Sequence, residues 1–390
     1  MRALAPASVT AYAMMNGCGT TNSEVQSSVA EGRSGLSLST FPLPFRSPVG
    51  RIEMPLPPLS GDLTPYDTRP ARMIQHLIAS METELASLRQ RVAPNRIGVI
   101  LGTSTAAADA TEQAYKDYVA TGDWPESFDV RRQHAFGAIL EVVRRLTGAS
   151  GPAWVVSTAC TSSAKTVGSA QRLLATGAID AAIVGGVDTL CAMTLSGFHS
   201  LGALSCTPCR PFSAERSGIN IGEGGALMLL ERHGDARGFI DSVGESSDAY
   251  HISAPPPEGL GARLAMERAL ALASITASDI DHINAHGTGT RLNDKAEGLA
   301  IAALFGNRPP VVSTKGYTGH TLGGAGATEI CLALMALESG VVPPSLGAEP
   351  LDPNLDINVP VTATTGRFRR AISNSFAFGG NNVSVAVRGA

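Results

Sequence analysis

The sequence predicts an α/β fold in which a largely parallel sheet is covered by helices on both faces. Short runs of apolar, often β-branched residues alternate along the chain with longer segments of helical periodicity. These runs are apolar throughout, which is typical of strands buried on both faces. The order of strands and helices after residue 237 resembles the order before it, so we also predict an internal duplication, with halves at 1–236 and 237–390.

The first half opens with a predicted strand, 8–15, which an Asn-Gly-Cys-Gly turn follows. A proline-rich span without periodicity, 38–66, predicts an extended excursion on the surface. The other predicted strands of this half are short, largely apolar runs: 96–103, 154–156, 180–187 and 225–230. The predicted helices share an apolar stripe at helical spacing: 23–31, 68–91, 106–120, 134–147 and 164–176.

The second half repeats this alternation after residue 237. Its predicted strands are again short segments: 239–244, 281–287, 311–314, 371–376 and 383–387. Its predicted helices are 262–274, 295–305 and 325–339.

Composition excludes several classes of protein. The chain has 390 residues, 44% of them hydrophobic, and its net charge of −4 without a basic run argues against a nucleic-acid binder. We expect no signal peptide and no membrane span, since no apolar stretch is long and uniform enough. The six cysteines lack the spacing of a disulfide framework, which favours reduced thiols and a cytoplasmic protein. Cys206 and Cys209 have the spacing of a zinc half-site, but no second pair exists, so we expect no metal.

Cys160 lies where a predicted buried strand, beginning at Trp154, turns into a long helix. The free N–H groups and the positive dipole end of a helix favour an anion, so we expect a lowered pKa for this thiol. The alternative is a small buried cysteine that only fills space in the core.

Two histidines occupy similar turns in the second half. His286 follows a short strand within Asn-Ala-His-Gly-Thr-Gly-Thr, where glycines let a ligand approach the backbone. His320 precedes a helix rich in small residues. Loops at strand ends are where α/β sheets build their sites, and a cysteine with two histidines indicates covalent chemistry at an acyl group.

Four motifs in order carry a family resemblance that covers nearly the whole chain: Thr158-Ala-Cys-Thr-Ser, Asn284-Ala-His-Gly-Thr-Gly-Thr, Lys315-Gly-Tyr-Thr-Gly-His and Asn374-Ser-Phe-Ala-Phe-Gly-Gly-Asn-Asn. Together they resemble the β-ketoacyl-acyl-carrier-protein synthases, most closely the elongating Cys-His-His type of the thiolase superfamily. The resemblance implies a thiolase-like duplicated αβαβα five-layer fold. It also implies decarboxylative Claisen condensation of an acyl group with a malonyl thioester, and usually a dimer.

The resemblance also implies roles for individual residues. Cys160 would accept the acyl group, while His286 and His320 would assist decarboxylation and hold the enolate oxygen. Lys315 would support the histidines by its charge, with Glu329 as its buried partner. The remaining roles concern binding: Phe378 as the gating residue that completes an oxyanion hole with Cys160, Thr288 and Thr290 for the pantetheine arm, Phe198 for the acyl tunnel, and Arg72, Arg210 and Arg69 for the carrier protein.

No cofactor is implied, because the substrates travel on the phosphopantetheine of an acyl carrier protein. Departures from the fatty-acid pattern bear on the substrate: Arg291 replaces a frequent proline, and the segment 201–212 is short. Ser162-Ser-Ala-Lys, Cys191 and Ser217-Gly-Ile-Asn-Ile-Gly-Glu are more similar to synthases of aryl-polyene pigment clusters. The acyl chain, saturated or polyenoic, and the dimer, homodimer or heterodimer, stay open.

The same residues bear on other classes of enzyme. A thiolase needs a second active-site cysteine near the C-terminus, and an initiating synthase usually has asparagine where His320 stands. A chain-length-factor-like partner subunit, non-catalytic or weakly active, usually lacks the cysteine. A papain-like hydrolase is excluded less firmly, because its cysteine and histidine occur in the same order.

Overall fold

The computed structural model describes residues 4–390. The strands of the first half are β1 (Ala7–Asn16), β2 (Leu36–Leu38), β3 (Pro48–Gly50), β4 (Ile97–Gly102), β5 (Ala153–Val156), β6 (Ala181–Asp188) and β7 (Gly224–Glu231). Those of the second half are β8 (Gly238–Ser247), β9 (His282–Asn284), β10 (Val311–Val312), β11 (Val341–Val342), β12 (Thr364–Thr365), β13 (Arg370–Phe376) and β14 (Asn381–Gly389).

The helices of the first half are α1 (Asn22–Ala30), α2 (Arg69–Ala79), α3 (Glu82–Arg91), α4 (Ala108–Thr121), α5 (Val130–Gln133), α6 (Ala138–Thr147), α7 (Ser162–Thr176) and α8 (Ala192–Ser200). Those of the second half are α9 (Leu260–Ala273), α10 (Arg291–Phe305), α11 (Lys315–Thr318) and α12 (Ala325–Ser339).

The sheet topology shows the duplication directly. The first half has the strand order β1-β7-β6-β4-β5, and the second half has the order β8-β14-β13-β9-β10. In both halves the first two contacts are antiparallel and the last two are parallel. The halves join where the start of β1 pairs with the start of β8, so that the ten strands form one continuous sheet. The boundary between 236 and 237 falls in the loop from β7 to β8 and stays a prediction.

Three layers of helices, two outer and one central, enclose the two half-sheets and give five layers in all. α2 and α6 cover the outer face of the first half-sheet, and α9 covers that of the second, with α10 packed against it. α7 and α12 lie in contact with each other and with strands of both halves, so they form the middle layer. The predicted α/β fold with five layers is therefore confirmed. The sheet is mixed rather than largely parallel as predicted, since five of its nine strand contacts are antiparallel.

Several predicted elements differ in detail. The single helix expected over 68–91 is two helices, α2 and α3, and the break between them places Met81 in the core with 1% of its surface exposed. The proline-rich span is not only a surface excursion, because Ile52, Leu56 and Leu59 anchor it in the core beside β1 and α2. α8 was not predicted, since its Thr, Ser and Gly residues are weak helix formers.

One apolar helical stretch, Leu322–Ser339, has the length and mean hydropathy of a membrane span. Within the fold, 89% of it is buried. It contains α12, one of the two helices of the middle layer, and a helix packed between the two half-sheets is apolar all round.

Candidate active site

Cys160 lies in the turn between β5 and α7, as the sequence predicts. The turn is held by short hydrogen bonds: the Thr158 N–H donates to Ser162 Oγ at 2.9 Å, and that hydroxyl donates to the Ala159 carbonyl at 2.6 Å. Ala159 has a φ of +52°, a left-handed conformation that is costly for a residue with a Cβ. The turn therefore presents the Cys160 side chain in one direction, just before the N-terminus of α7.

His286 follows β9 on a loop that a buried carboxylate holds. The backbone N–H groups of His286 and Gly287 donate to the two oxygens of Glu297, at 2.8 and 2.7 Å. On the side chain, Nδ1 lies 3.4 Å from Lys315 Nζ. Because an ammonium group can only donate, Nδ1 is the acceptor and the imidazole proton sits on Nε2.

His320 precedes α12 and is oriented by the backbone. The Leu322 N–H donates to its Nδ1 at 3.1 Å, which again leaves the proton on Nε2. His320 Nε2 is buried and has no hydrogen-bond partner within residues 4–390. Since a buried N–H without an acceptor is costly, it indicates a place where a substrate atom is received.

The three side chains converge although they come from different loops. Their ligand atoms all lie within 4.8 Å of one another, and the two imidazole rings meet edge to face with centroids 5.3 Å apart. The duplication explains the meeting, because α7 and α12 occupy equivalent places in the two halves. Cys160 and His320 each lie just before the N-terminus of one of these middle-layer helices.

The electrostatics differ from the expectation for the thiol. Burial raises the pKa of Cys160 to about 12, although the charge of Lys315 acts in the opposite direction. The predicted lowering is wrong, because Cys160 is only 8% exposed and desolvation outweighs the favourable charges. Burial also holds the pKa values of His286 and His320 well below the usual range, with the charge of Lys315 adding to it. The resting site is therefore a neutral thiol beside two neutral imidazoles.

Lys315 and Glu329 form a buried ion pair behind His286. Lys315 Nζ donates to Glu329 Oε1 and to the His286 carbonyl, and the lysine side chain is fully buried. Burial raises the pKa of Glu329 to about 7, against the stabilising charge of Lys315. An ammonium group so placed keeps the imidazole of His286 neutral.

Two buried carboxylates at the site were missed by sequence reasoning. Glu297 also accepts a hydrogen bond from Asn374 Nδ2 at 3.2 Å and has a pKa raised by burial to about 7. Asp188, at the end of β6, accepts the hydroxyl of Thr103 at 2.6 Å and the N–H of Gly323 at 2.6 Å, which ties the end of β4 to the His320 loop. The only available signal was an acid at the end of an apolar strand or inside an apolar helix.

A cavity of about 540 Å³ leads to the three reactive side chains. Thr288 and Thr290 line it, with their hydroxyls 2.8 Å apart. Phe198 and Phe378 also line it, with ring centroids 5.7 Å apart. The backbone N–H of Phe378 has no protein acceptor in the described chain, so it is free for a ligand.

The three arginines predicted for the carrier protein are all paired. Arg69 forms a bidentate, partly buried ion pair with Glu223. Arg72 pairs with Asp67 at 2.7 Å, and Arg210 with Glu215. Each of the three therefore has a carboxylate partner within the fold, and the binding of a carrier protein by these arginines stays a prediction.

Cys160, His286 and His320 also have the composition of a metal site, but the two imidazole protons occupy the nitrogens that would have to bind the metal. A histidine that binds a metal usually donates its other ring N–H to an acceptor. In both imidazoles Nδ1 instead accepts a hydrogen bond, so Nε2 carries a proton rather than a free lone pair. The donor set therefore fits an oxygen anion of a substrate better than a cation.

Two family models match the chain: the β-ketoacyl synthase N-terminal domain over residues 75–236 and the β-ketoacyl synthase C-terminal domain over residues 237–349. Among curated proteins, 3-oxoacyl-[acyl-carrier-protein] synthase 2 of Mycobacterium tuberculosis is 40% identical over 310 residues, covering 75% of this chain and 74% of that protein. Nodulation protein E of Rhizobium meliloti is 37% identical over 305 residues, covering 75% of each.

Two solved structures are similar over almost the whole chain. A chain in the complex of a ketosynthase with its chain length factor from Xenorhabdus doucetiae superimposes with a TM-score of 0.94 and 35% identity, covering 99% of this chain and 98% of that one. A chain of the ishigamide ketosynthase/chain length factor superimposes with a TM-score of 0.89 and 26% identity, covering all of both chains.

Proposed function

Because the chain belongs to the β-ketoacyl synthase family, we propose that Cys160, His286 and His320 carry out its decarboxylative condensation of an acyl group with a malonyl-carrier thioester. The protein is accordingly an acyltransferase, a 3-oxoacyl-[acyl-carrier-protein] synthase. One observation supports the residue assignment above all: a buried thiol and two neutral imidazoles meet within 4.8 Å at the end of a cavity.

In the first half-reaction the Cys160 sulfur attacks the carbonyl carbon of the acyl-carrier thioester. The thiol proton passes to the sulfur of the departing carrier thiolate, and the acyl group remains on Cys160. With a thiol pKa of about 12, this proton transfer must accompany attack. The tetrahedral oxyanion is received by the backbone N–H groups of Cys160 and Phe378.

In the second half-reaction the malonyl-carrier thioester loses carbon dioxide, and the electron pair of the broken C–C bond forms an enolate. Negative charge then develops on the thioester oxygen. The Nε2–H of His320, which is buried without a partner, and that of His286 donate to this oxygen. The enolate carbon attacks the acyl-Cys160 carbonyl, which releases the Cys160 thiolate and lengthens the chain by two carbons.

Lys315 acts through His286 rather than on the substrate. Its ammonium lies 3.4 Å from Nδ1, so protonation of that imidazole would place two cations side by side. A protonated histidine would hold the enolate as a salt and quench its carbanion character. Glu329 neutralises Lys315 inside the fold, which makes its burial tolerable.

The test of the site is Cys160→Ala, with the exposed Cys206→Ala as the matched control. Both variants and the wild type are incubated with acyl- and malonyl-carrier protein, and intact mass follows acylation. We expect Cys160→Ala to lose the acyl-enzyme and all condensation, a fall of at least about 1,000-fold, since nucleophile removal costs that much or more. Near wild-type condensation by Cys160→Ala would refute the assignment.

The same experiment separates the other candidate functions. Hydrolysis of the acyl thioester without chain extension would indicate a hydrolase. No acylation of the wild type would favour the alternative, a weakly active partner subunit similar to a chain length factor. That alternative is compatible with the two structural relatives, since both titles name a ketosynthase together with a chain length factor.

The proposed acyl substrate is an unsaturated or aryl-primed chain, as in aryl-polyene synthesis, rather than a saturated fatty acyl chain. Its support is the motif set noted in the sequence and the two aromatic rings, Phe198 and Phe378, on which a planar chain can stack. A rigid planar chain also needs a straight slot, and we expect the small side chains of Ala107, Ala108 and Ser196 to help leave one. None of the three lines the cavity that leads to Cys160.

The substrate proposal is tested by comparing octanoyl, conjugated dienoyl and aryl-acrylyl carriers at equal concentrations. Apolar pockets discriminate by about 1–3 kcal/mol per misfit group, so we expect a preference of about tenfold or more for the conjugated chains. Equal or faster elongation of the octanoyl carrier would refute the substrate proposal and indicate an enzyme of saturated fatty-acid synthesis.

The remaining parts of the proposal concern partners, cofactors and location. The acyl carrier protein delivers both substrates on its phosphopantetheine arm, and neither metal nor another cofactor takes part. The chain works as a dimer with a second copy or with a related chain-length-factor subunit. Its six cysteines are all free, which fits the reducing cytoplasm.

A further inference from the structure

The cavity that leads to Cys160 has one strongly basic side chain on its wall. Among its lining residues in the described chain, Arg291 is the sole arginine or lysine. It is exposed and follows Thr290 directly, so it lies at the outer part of the same wall. The sole carboxylate on the wall, Asp248, accepts a hydrogen bond from Asn382 Nδ2 at 2.7 Å.

Arg291 differs in its ion pairing from the arginines predicted to bind the carrier protein. Arg69, Arg72 and Arg210 each form an ion pair with a carboxylate of the fold. Within residues 4–390, Arg291 forms neither an ion pair nor a side-chain hydrogen bond. Its guanidinium is therefore available to an anionic ligand.

The position of Arg291 is also unfavourable for the fold. It is the first residue of α10, where the positive end of the helix dipole disfavours a cation. A side chain that is exposed, unpaired and opposed by the dipole does not stabilise the helix. Its replacement is consequently expected to leave folding intact, which makes it a clean probe of binding.

We propose that Arg291 binds the phosphodiester of the phosphopantetheine arm while the arm passes Thr288 and Thr290 toward Cys160, an inference that rests on the proposed function. The guanidinium presents paired N–H donors whose geometry matches two phosphate oxygens. The contact fixes where the arm enters the cavity and is the same for the acyl and the malonyl substrate. Arg291 is thus a positioning residue, remote from the reacting atoms.

The test uses three malonyl thioesters that differ stepwise: malonyl-pantetheine, malonyl-phosphopantetheine and malonyl-carrier protein. Decarboxylation and condensation are measured with wild type, Arg291→Ala, Arg291→Lys and Lys295→Ala. We expect Arg291→Ala to raise KM for the two phosphate-containing substrates about five- to tenfold at low salt, with kcat little changed. Its KM for malonyl-pantetheine should equal that of the wild type.

Controls on the same helix sharpen the result. Lys295→Ala removes an equal charge from an exposed position that does not line the cavity, and it should leave all three KM values unchanged. Arg291→Lys should restore part of the affinity, and the Tm of Arg291→Ala should not fall.

Three results would overturn the inference. An equal rise in KM for malonyl-pantetheine would show that Arg291 shapes the cavity. A rise in KM confined to malonyl-carrier protein would show that Arg291 contacts the folded carrier rather than the phosphate. An unchanged KM with all three substrates would show that Arg291 makes no contact with the substrate. If the wild type turned over none of the three substrates, that result would instead refute the proposed function.

Discussion

At the scale of single residues, Glu297 holds the loop that carries His286. It projects from α10, and each of its carboxylate oxygens accepts one backbone N–H of that loop. Asn374 donates a third hydrogen bond from β13. A fully ionised carboxylate would satisfy these donors best, yet burial raises its pKa to about 7. The site is therefore positioned by a group that is itself near its titration point at neutral pH.

Replacement of Glu297 by glutamine should destabilise the protein and lower kcat. One carboxylate oxygen becomes an NH₂ group facing a backbone N–H, so a buried donor loses its acceptor. We expect the free energy of unfolding to fall by about 1–3 kcal/mol in urea titrations at pH 8. Condensation should fall at least about tenfold, since the His286 loop loses a fixed point. Unchanged stability and rate would show that the loop is held by other contacts.

The same carboxyl group makes stability depend on pH in a defined direction. The folded protein keeps this proton up to about pH 7, whereas the unfolded chain releases it near 4.5. Between these values the folded state binds more protons, so its contribution to stability declines as pH rises. In Glu297→Gln this decline should be smaller than in the wild type, although the similar pKa of Glu329 preserves part of it.

Sequence reasoning located the reactive residues but not the residues that support them. Cys160, His286 and His320 lie in turns with recognisable small residues, so local pattern was enough. Glu297 lies inside an ordinary apolar helix, and only the tertiary fold brings it beneath another loop. The prediction of a lowered pKa for Cys160 was wrong for the same reason, because burial is a property of the whole fold.

At the scale of elements, the site depends on the distance between the two middle-layer helices. α7 and α12 pack closely where Gly326 faces Ala164: a Cβ on Gly326 would lie 2.7 Å from the Ala164 Cβ and 2.8 Å from its backbone nitrogen. These glycine and alanine residues are therefore required for the close approach. Cys160 and His320 lie in the turns that lead into these helices, so the separation of the helices sets the geometry of the reactive pair.

Gly326→Val should push the two helices apart. Overpacking of a tight contact costs about 1–3 kcal/mol, and we expect a loss of stability in that range. Condensation should fall by more than the loss of folded protein explains, because His320 moves relative to Cys160. The matched control is Gly137→Ala, where a Cβ meets no atom within 4 Å. Wild-type activity of a folded Gly326→Val protein would show that the site tolerates helix displacement.

At the scale of the whole molecule, the apolar runs predicted the strands and the repeated order predicted the duplication. The ion pair of Arg69 with Glu223 joins residues 154 positions apart, so no local pattern could reveal it. Arg72 and Arg210, in contrast, pair with carboxylates only five residues away. Long-range pairing was thus the part of the fold that could not be predicted from local patterns.

The sheet of the first half ends at an unpaired edge. β5 pairs with β4 on one side and with no other strand among residues 4–390. The carbonyls of Pro152 and Val156 accept N–H groups from the β4 side, so the intervening Val155 directs its backbone N–H outward. Exposed edges of this kind are ready to pair with another chain. We predict that β5 forms the dimer contact with a second copy.

Val155→Pro tests this prediction without removing a donor to β4. Proline deletes the outward N–H and leaves the inward ladder of β5 complete, so the dimer should weaken while the subunit stays folded. Light scattering should give a dimer for the wild type and a shift toward monomer at micromolar concentration for the variant. Val155→Thr keeps the N–H and the β-branched shape, and it should remain dimeric. A dimeric Val155→Pro protein would place the contact elsewhere, whereas a monomeric wild type would leave the related chain-length-factor subunit as the partner for this edge.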